Sequence, residues 1–273
     1  MYLEYWQLAS KPFEPIADRA AFYSNEASEG ALLKLRYAIE SRRPAVALAG
    51  PPGVGKTLLV QLLLAELAAD FQPRVHLVFP QMSNRDLLVY LAEQLGAPPA
   101  DPPRHTIEES VRRLEFFLSQ NARQNRHAIF VIDEAHLLED CGALETLRLL
   151  LNFEFEGRAT FSLILVGQMG LISALGRMPS LEERLSSKAL LRALTAEETA
   201  VYVQQRLSAA GASRELFTAD ALEAMHYLSH GIPRQINRLG DLSLLVGFAD
   251  RLPRLTAHEV ETVSEELVSI GSD

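Results

Sequence analysis

Only one cysteine, Cys141, occurs in 273 residues, so no intrachain disulfide framework can form and the chain fits a reducing compartment. Standing alone, it reads as a small residue at a helix start rather than a reactive thiol. No apolar run approaches the ~20 residues that span a bilayer. The N-terminus, Met1-Tyr2-Leu3-Glu4-Tyr5-Trp6, has neither the basic nor the apolar region of a secretory signal. Basic charge is scarce as well: 26 Lys and Arg against 35 Asp and Glu give a net charge of −9, and from Thr195 onward six basic side chains face twelve acidic ones. The chain is therefore not a generally basic nucleic-acid binder. These absences place it in the cytoplasm, at most peripheral to the inner membrane through a partner, with no transmembrane segment.

What is present is an alternation of short apolar runs with helical periodicity, the pattern of a parallel sheet covered by helices. The strand candidates are Ala45–Ala49, Val75–Phe79, Ala128–Ile132, Ser162–Val166 and Ala189–Leu194. Capping boxes announce helices at Thr106 with Glu109 and at Ser180 with Glu183, because such pairs satisfy the amides left free at a helix start. After Leu194 the strands stop. Thr195 with Glu198, Thr218, Pro233 in a first turn, and Thr256 with Glu259 each open a helix. The expected fold is α/β: a five-stranded parallel sheet sandwiched by helices over residues 1–194, followed by a four-helix lid over 195–273. The proline-rich stretch from Gly96 to Pro103 reads as an exposed loop.

The strongest chemical signal is Gly50, Pro51, Pro52, Gly53, Val54, Gly55, Lys56 and Thr57, which matches the phosphate-binding loop pattern in full. It follows an apolar strand and opens the apolar helix that continues from Leu58, which is the setting the motif needs. Glycines let backbone amides wrap the phosphates, and the helix adds its positive N-terminal end. Lys56 is expected at the β- and γ-phosphates of ATP, and Thr57 on Mg²⁺. The second half of the site is the run Ile129 to Ile132, ending in Asp133 and Glu134. Both carboxylates fall at the C-terminal edge of the sheet, where ligands bind in open α/β folds. Asp133 is expected to act on Mg²⁺, and Glu134 to polarise the water that attacks the γ-phosphate. With Ala135 and His136 this run also spells a helicase signature, although such helicases need two nucleotide-binding domains. His136 reads as a structural histidine or a relay of the γ-phosphate state, and no other ligand stands at zinc-site spacing from it.

A further apolar strand ends in Gly167 and Gln168, which puts a polar group beside the expected phosphates, to bond the γ-phosphate or the water or simply to cap the strand. The run His230-Gly231-Ile232-Pro233-Arg234 places Arg234 in the first turn of a lid helix, from which it could reach the phosphates and link the lid to nucleotide state. The order of Gly50–Thr57, Ile129–Glu134, Leu165–Gln168 and Gly231–Arg234 resembles AAA+ ATPases near the general-secretion-pathway protein A (ExeA-type) family. The stretches Lys11–Pro15, Phe22–Ser24 and Gly231–Asn237 sharpen the resemblance, which runs from Tyr2 to about Leu267.

The resemblance implies that Phe13, Phe22 and Tyr23 lie near the adenine. It also implies an arginine finger after the Gln168 strand, with Arg184 in first place and Arg177 in reserve, and therefore a homo-oligomer whose sites are completed between subunits. The secretion proteins continue into a membrane-spanning helix and a cell-wall-binding domain where this sequence reads Asp273, so those functions are not carried over. Two roles remain open. One is a cytoplasmic energising or assembly factor with a protein partner in a secretion or surface-polymer export system. The other is an ATP-dependent DNA-binding regulator of the transposition or initiator type, for which Arg42, Arg43, Arg104, Arg112, Arg113, Arg123 and Arg126 are the basic residues on offer.

Overall fold

The computed structural model describes residues 2–14, 22–78, 80–97 and 106–270, with the side chains of 139–141 and 268–270 outside that description. Pro15, Phe79, most of the proline-rich loop, Arg104 and the Cys141 side chain therefore lie outside the described residues. The chain forms two compact units. One comprises Met1–Asn25, Pro52–Gly55 and Arg192–Asp273, and the other Glu26–Pro51 and Lys56–Leu191.

The larger unit holds strands β1 (Ala45–Ala49), β2 (Arg74–Leu77), β3 (Ala128–Ile132), β6 (Phe161–Gly167) and β7 (Leu185–Leu190), with a two-residue-a-side hairpin of β4 (Glu154–Phe155) and β5 (Arg158–Ala159). The five long strands form one sheet in the order β2-β3-β6-β1-β7, and every pairing in it is parallel. β1, β3 and β6 are buried at every position. That is why they read as unbroken apolar runs: helices cover both faces of a central parallel strand. The covering helices are α2 (Glu26–Glu40), α3 (Lys56–Glu66), α4 (Asn84–Gln94), α5 (Ile107–Arg123), α6 (Ala143–Leu150), α7 (Gly170–Gly176) and α8 (Pro179–Glu182). Leu87, Leu91, Leu114 and Leu118 from α4 and α5 share a core with Val75, Phe130 and Leu163 of the strands.

Three sequence expectations are corrected here. The last strand is Leu185–Leu190, not Ala189–Leu194. It is an edge strand, half-exposed and carrying Ser186, Ser187 and Lys188, so its polar composition hid it while apolar Leu191 and Leu194 drew attention downstream. The second strand is likewise an edge and starts one residue earlier, at Arg74. Ser180 forms no capping box: Pro179 takes the first turn of a four-residue helix, leaving Ser180 inside it. The Thr106 side chain does accept from the Glu109 amide.

The smaller unit holds the four helices α9 (Ala196–Ala209), α10 (Ala219–Ser229), α11 (Pro233–Ala249) and α12 (Ala257–Ile270), together with α1 (Tyr2–Trp6). Thr195 and Glu198 form a reciprocal capping box at α9, an arrangement in which the cap residue contributes about 1 kcal/mol. The N-terminal segment is built into this core. Trp6 is 1% exposed and donates its indole N–H to Leu244 O, and buried Arg206 of α9 donates to Pro12 O. No described helix is long and apolar enough to cross a membrane.

A buried histidine gives the larger unit a defined acid response. His127 is 1% exposed, with Nε2 2.8 Å from Ser162 Oγ. Burial, reinforced by the Arg42 charge, pushes its pKa from 6.5 down to about 4. Between those values the unfolded chain binds the proton and the fold does not, so stability is full above 6.5 and declines as pH falls towards 4. The decline from this one residue amounts to about 3 kcal/mol. The urea midpoint at pH 4.5 is expected to lie well below that at pH 7, and His127→Gln, which keeps a donor for Ser162, is expected to flatten that difference. An unchanged pH response in the variant would show that the proton goes elsewhere.

Candidate functional site

β1 ends at Ala49, and the backbone turns through Gly50–Gly55 into α3, whose first residue is Lys56. Gly53 and Gly55 have φ of +82° and +96°, the left-handed region in which a side chain is strained. At Gly53 space is short as well: a Cβ would stand 2.9 Å from Ile232 Cγ2 and 3.0 Å from Arg234 Cβ. The reason is that Pro52–Gly55 packs with the helical unit, where the Arg234 amide donates to Gly53 O at 3.2 Å. Arg234, in the first turn of α11, is exposed beside the loop tip. Gly231 sets up this approach. Its φ is +68°, and a Cβ there would fall 2.1 Å from Leu194 O.

Lys56 is 6% exposed, and its ammonium donates to Gly50 O and Pro51 O, both at 2.9 Å. It thus lies folded under the loop rather than out in solvent. The Thr57 hydroxyl donates to Asp133 Oδ2 at 2.6 Å, joining the loop helix to the end of β3. Asp133 is 3% exposed. Burial pushes its carboxyl up, but the nearby His76 imidazole, the Thr57 hydroxyl and the Glu134 amide outweigh it and hold the carboxyl below the usual aspartate value. It is therefore an anion at neutral pH. Glu134 follows with φ 49° and ψ 34°, left-handed values uncommon for a residue with a side chain. Its side chain is 44% exposed, although Oε2 is buried.

Gln168, just beyond β6, is half-buried, and its main-chain N–H donates to His136 Nδ1 at 3.4 Å. In the larger unit Lys56, Thr57, Asp133, Glu134, His136 and Gln168 therefore sit at neighbouring strand ends, since β3, β6 and β1 are consecutive in the sheet. Arg184 stands immediately before β7. Its guanidinium donates to Asn152 Oδ1 at 2.6 Å and to Leu151 O at 3.3 Å, at the C-terminal end of α6. Leu58 is half-buried in α3.

The aromatic trio lies in the helical unit. Phe13 is 4% exposed, edge-on to Phe217 and packed so closely on Gly240 that a Cβ there would come within 2.5 Å of its ring. Tyr23 meets Tyr202 edge-on at 5.6 Å, and both Tyr23 and Phe22 keep part of their surface exposed. One neighbour of the site escaped the sequence reading. His76 on β2 has a buried Nε2 3.7 Å from Asp133 Oδ2. A histidine in a strand adjacent to the one that carries the acidic pair was the available signal.

Comparison with known proteins identifies the family. A family profile described as AAA domain matches residues 39–175. General secretion pathway protein A of Aeromonas hydrophila is 30% identical over 278 aligned residues, which take in all of this chain and 50% of that protein. The chain thus spans about half the length of this curated relative. Among solved structures, the Aeropyrum pernix ORC2 protein superposes with TM-score 0.69 at 17% identity, covering 91% of this chain and 71% of that one. Drosophila ORC bound to DNA gives TM-score 0.70 at 17% identity, covering 97% and 66%. At such identities these two show the fold alone. Half of the chain falls under the AAA profile and all of it aligns with the secretion protein: it belongs to the AAA domain family, as a nucleotide-binding ATPase related to general secretion pathway protein A.

Proposed function

We propose that the chain hydrolyses ATP to ADP and phosphate, as a cytoplasmic energising or assembly factor of a secretion or surface-polymer export system. The observation that carries the chemistry is the 2.6 Å contact between Thr57 and Asp133. It sets a hydroxyl and an ionised carboxylate side by side at the start of the loop helix, a pair of hard oxygen donors suited to Mg²⁺. Bound there, Mg²⁺ supplies charge neutralisation to the β- and γ-phosphate oxygens. Lys56 releases its two loop carbonyls to donate to the same phosphates, and the amides of Gly53, Val54 and Gly55 wrap them. Glu134 orients the attacking water and takes its proton. Gln168 senses the γ-phosphate. Arg234 does so from the helical unit, in which it is already bonded to the loop tip. Phe22 and Tyr23 offer partly exposed rings for the adenine, with Phe13 packed in the core of that unit. In this reading residues 1–194 carry the chemistry and 195–273 act as the lid.

The export role rests on the alignment of the whole chain with half of the secretion protein. The DNA-binding role draws less support, because its arginines are largely occupied. Arg42 is bonded to Asn125 O, Arg43 to Tyr37 and Arg113 to Ala97 O, while Arg123 lies over the Phe155 ring.

Arg184 is the candidate to act on a neighbouring subunit's ATP. Its two bonds at the end of α6 fix the guanidinium while leaving part of its five-donor fork unused by them. Arg184→Ala is expected to bind ATP normally and to hydrolyse it about a thousandfold more slowly, the scale of a finger's contribution. Mixing it with Glu134→Gln subunits is expected to restore activity, since a mixed junction can hold one intact site. Wild-type turnover by Arg184→Ala, or no recovery on mixing, would point to a self-contained monomer.

A further inference from the structure

A cavity of about 410 Å³ opens in the smaller unit between α9, the turn at residues 212–217 and the start of α10. None of the residues placed at the nucleotide site lines it. Its floor is apolar: Leu207, Phe217 and Leu222 belong to the core of the unit and also line the cavity. Its rim is polar and exposed, with Ser213, Arg214 and Glu215 in sequence. The Arg214 guanidinium stands 5.9 Å from the centre of the buried Trp6 ring, a distance at which an aromatic face attracts a cation. Among the described residues no carboxylate pairs with it. A cation positioned by a ring and left unneutralised is a receptor for one anion. Glu215 on the same rim opposes a second negative charge, which disfavours phosphate groups and nucleic acid.

We propose that this cavity captures the C-terminal tail of a protein partner that ends in an apolar residue, with the last side chain on the Leu207, Phe217 and Leu222 floor and the terminal carboxylate on Arg214. The site is separate from ATP hydrolysis and stands whether or not the chain turns ATP over.

Size, polar lining and anchoring support a peptide tail. The volume lies in the range of sites that enclose small ligands. It holds the last side chains of a chain but not a helix, which is about 10–12 Å across. The main-chain N–H groups of Ser213, Arg214 and Glu215 donate to no backbone carbonyl among the described residues, and consecutive free amides of this kind are a recurrent way of holding a terminal carboxylate. Gln204 and Ser208 of α9 add side-chain polar groups to the lining. Peptide groups can pair with these donors and acceptors, whereas a fatty acid would leave most of them unpaired. The turn is fixed at both ends. Before it the Ala9 amide donates to Ala210 O, and after it the Leu255 amide donates to Leu216 O and the Thr218 amide to Leu255 O. Little ordering is therefore left to oppose binding.

The test is titration of the full chain with the peptide acetyl-Gly-Ala-Ala-Leu-Leu, once with a free C-terminal carboxylate and once as the C-terminal amide. Trp6 is the chain's one tryptophan, and its contact with Arg214 makes its fluorescence a local reporter; calorimetry gives an independent Kd. The free acid is expected to bind with a Kd below about 1 mM and the amide about tenfold more weakly, the loss of one charge-assisted contact. Arg214→Gln, at an exposed position, is expected to keep the wild-type thermal midpoint and to bind the acid no better than the amide. Ser208→Phe fills the cavity from an exposed site on α9 and is expected to abolish binding of both peptides while leaving ATP turnover unchanged. Equal binding of acid and amide by the wild-type chain, undiminished binding by Arg214→Gln or Ser208→Phe, or no binding at millimolar peptide would overturn the inference. Decanoate, a carboxylate on an apolar tail without peptide groups, is expected to bind more weakly than the acid; tighter binding would assign the cavity to a lipid and overturn the peptide reading.

Discussion

Lys56→Ala is expected to bind ATP at least a hundredfold more weakly than the wild-type chain. The ammonium is buried at the head of α3 and held by two loop carbonyls at 2.9 Å, so its charge is desolvated, directed, and not cancelled by either carbonyl. Hydrogen bonds to charged groups contribute about 1.5–3 kcal/mol each, and the phosphates would take up more than one. A loss of about 3 kcal/mol corresponds to roughly a hundredfold in Kd. Removing the side chain also deprives Gly50 O and Pro51 O of their donor, which loosens the loop itself. Lys56→Met keeps the buried stem and is expected to lose affinity to a similar degree, so that charge and packing are separated. Calorimetric titration with ATP reads both variants. A Kd within threefold of wild type would remove Lys56 from the site.

Glu134→Gln is expected to keep ATP and lose turnover by a factor of about a hundred to ten thousand, the range over which a positioned base contributes. The amide matches the carboxylate in shape, and nothing in the left-handed backbone at this position distinguishes the two side chains. What it loses is the capacity to take a proton from water. Binding of a fluorescent ATP analogue and phosphate release, measured on the same sample, separate the two effects. If phosphate release stays at the wild-type rate, another group activates the water.

How much of this the sequence reveals depends on whether the relevant forces are local. β1 and β3 were legible to the residue because a central strand is apolar on both faces. β7 was not, since an edge strand with Ser186, Ser187 and Lys188 carries neither a continuous nor a cleanly alternating pattern. The phosphate loop is a contiguous motif, and so is the acidic pair. The partners that complete them are not contiguous. Gln168 meets His136 across 32 residues, and the loop tip bonds to Arg234 in another part of the chain. The N-terminal aromatics show the same limit. Trp6 and Phe13 carry no local pattern that marks them as buried, and they become core residues only through α11 and its neighbours. His76 escaped for the same reason: parallel pairing of β2 with β3 is what brings it to Asp133.

Thr57, Asp133, Glu134 and Lys56 are together proposed as a Mg²⁺-dependent ATP-hydrolysing site. Single-turnover phosphate release, with the chain in excess over ATP, tests it most directly when run with Mg²⁺ and again with EDTA. Phosphate is expected with Mg²⁺, none with EDTA, and none with Mg²⁺ in Glu134→Gln although ATP is bound. ATP bound by the wild-type chain with Mg²⁺ and left intact, or phosphate formed equally well with EDTA, would contradict it.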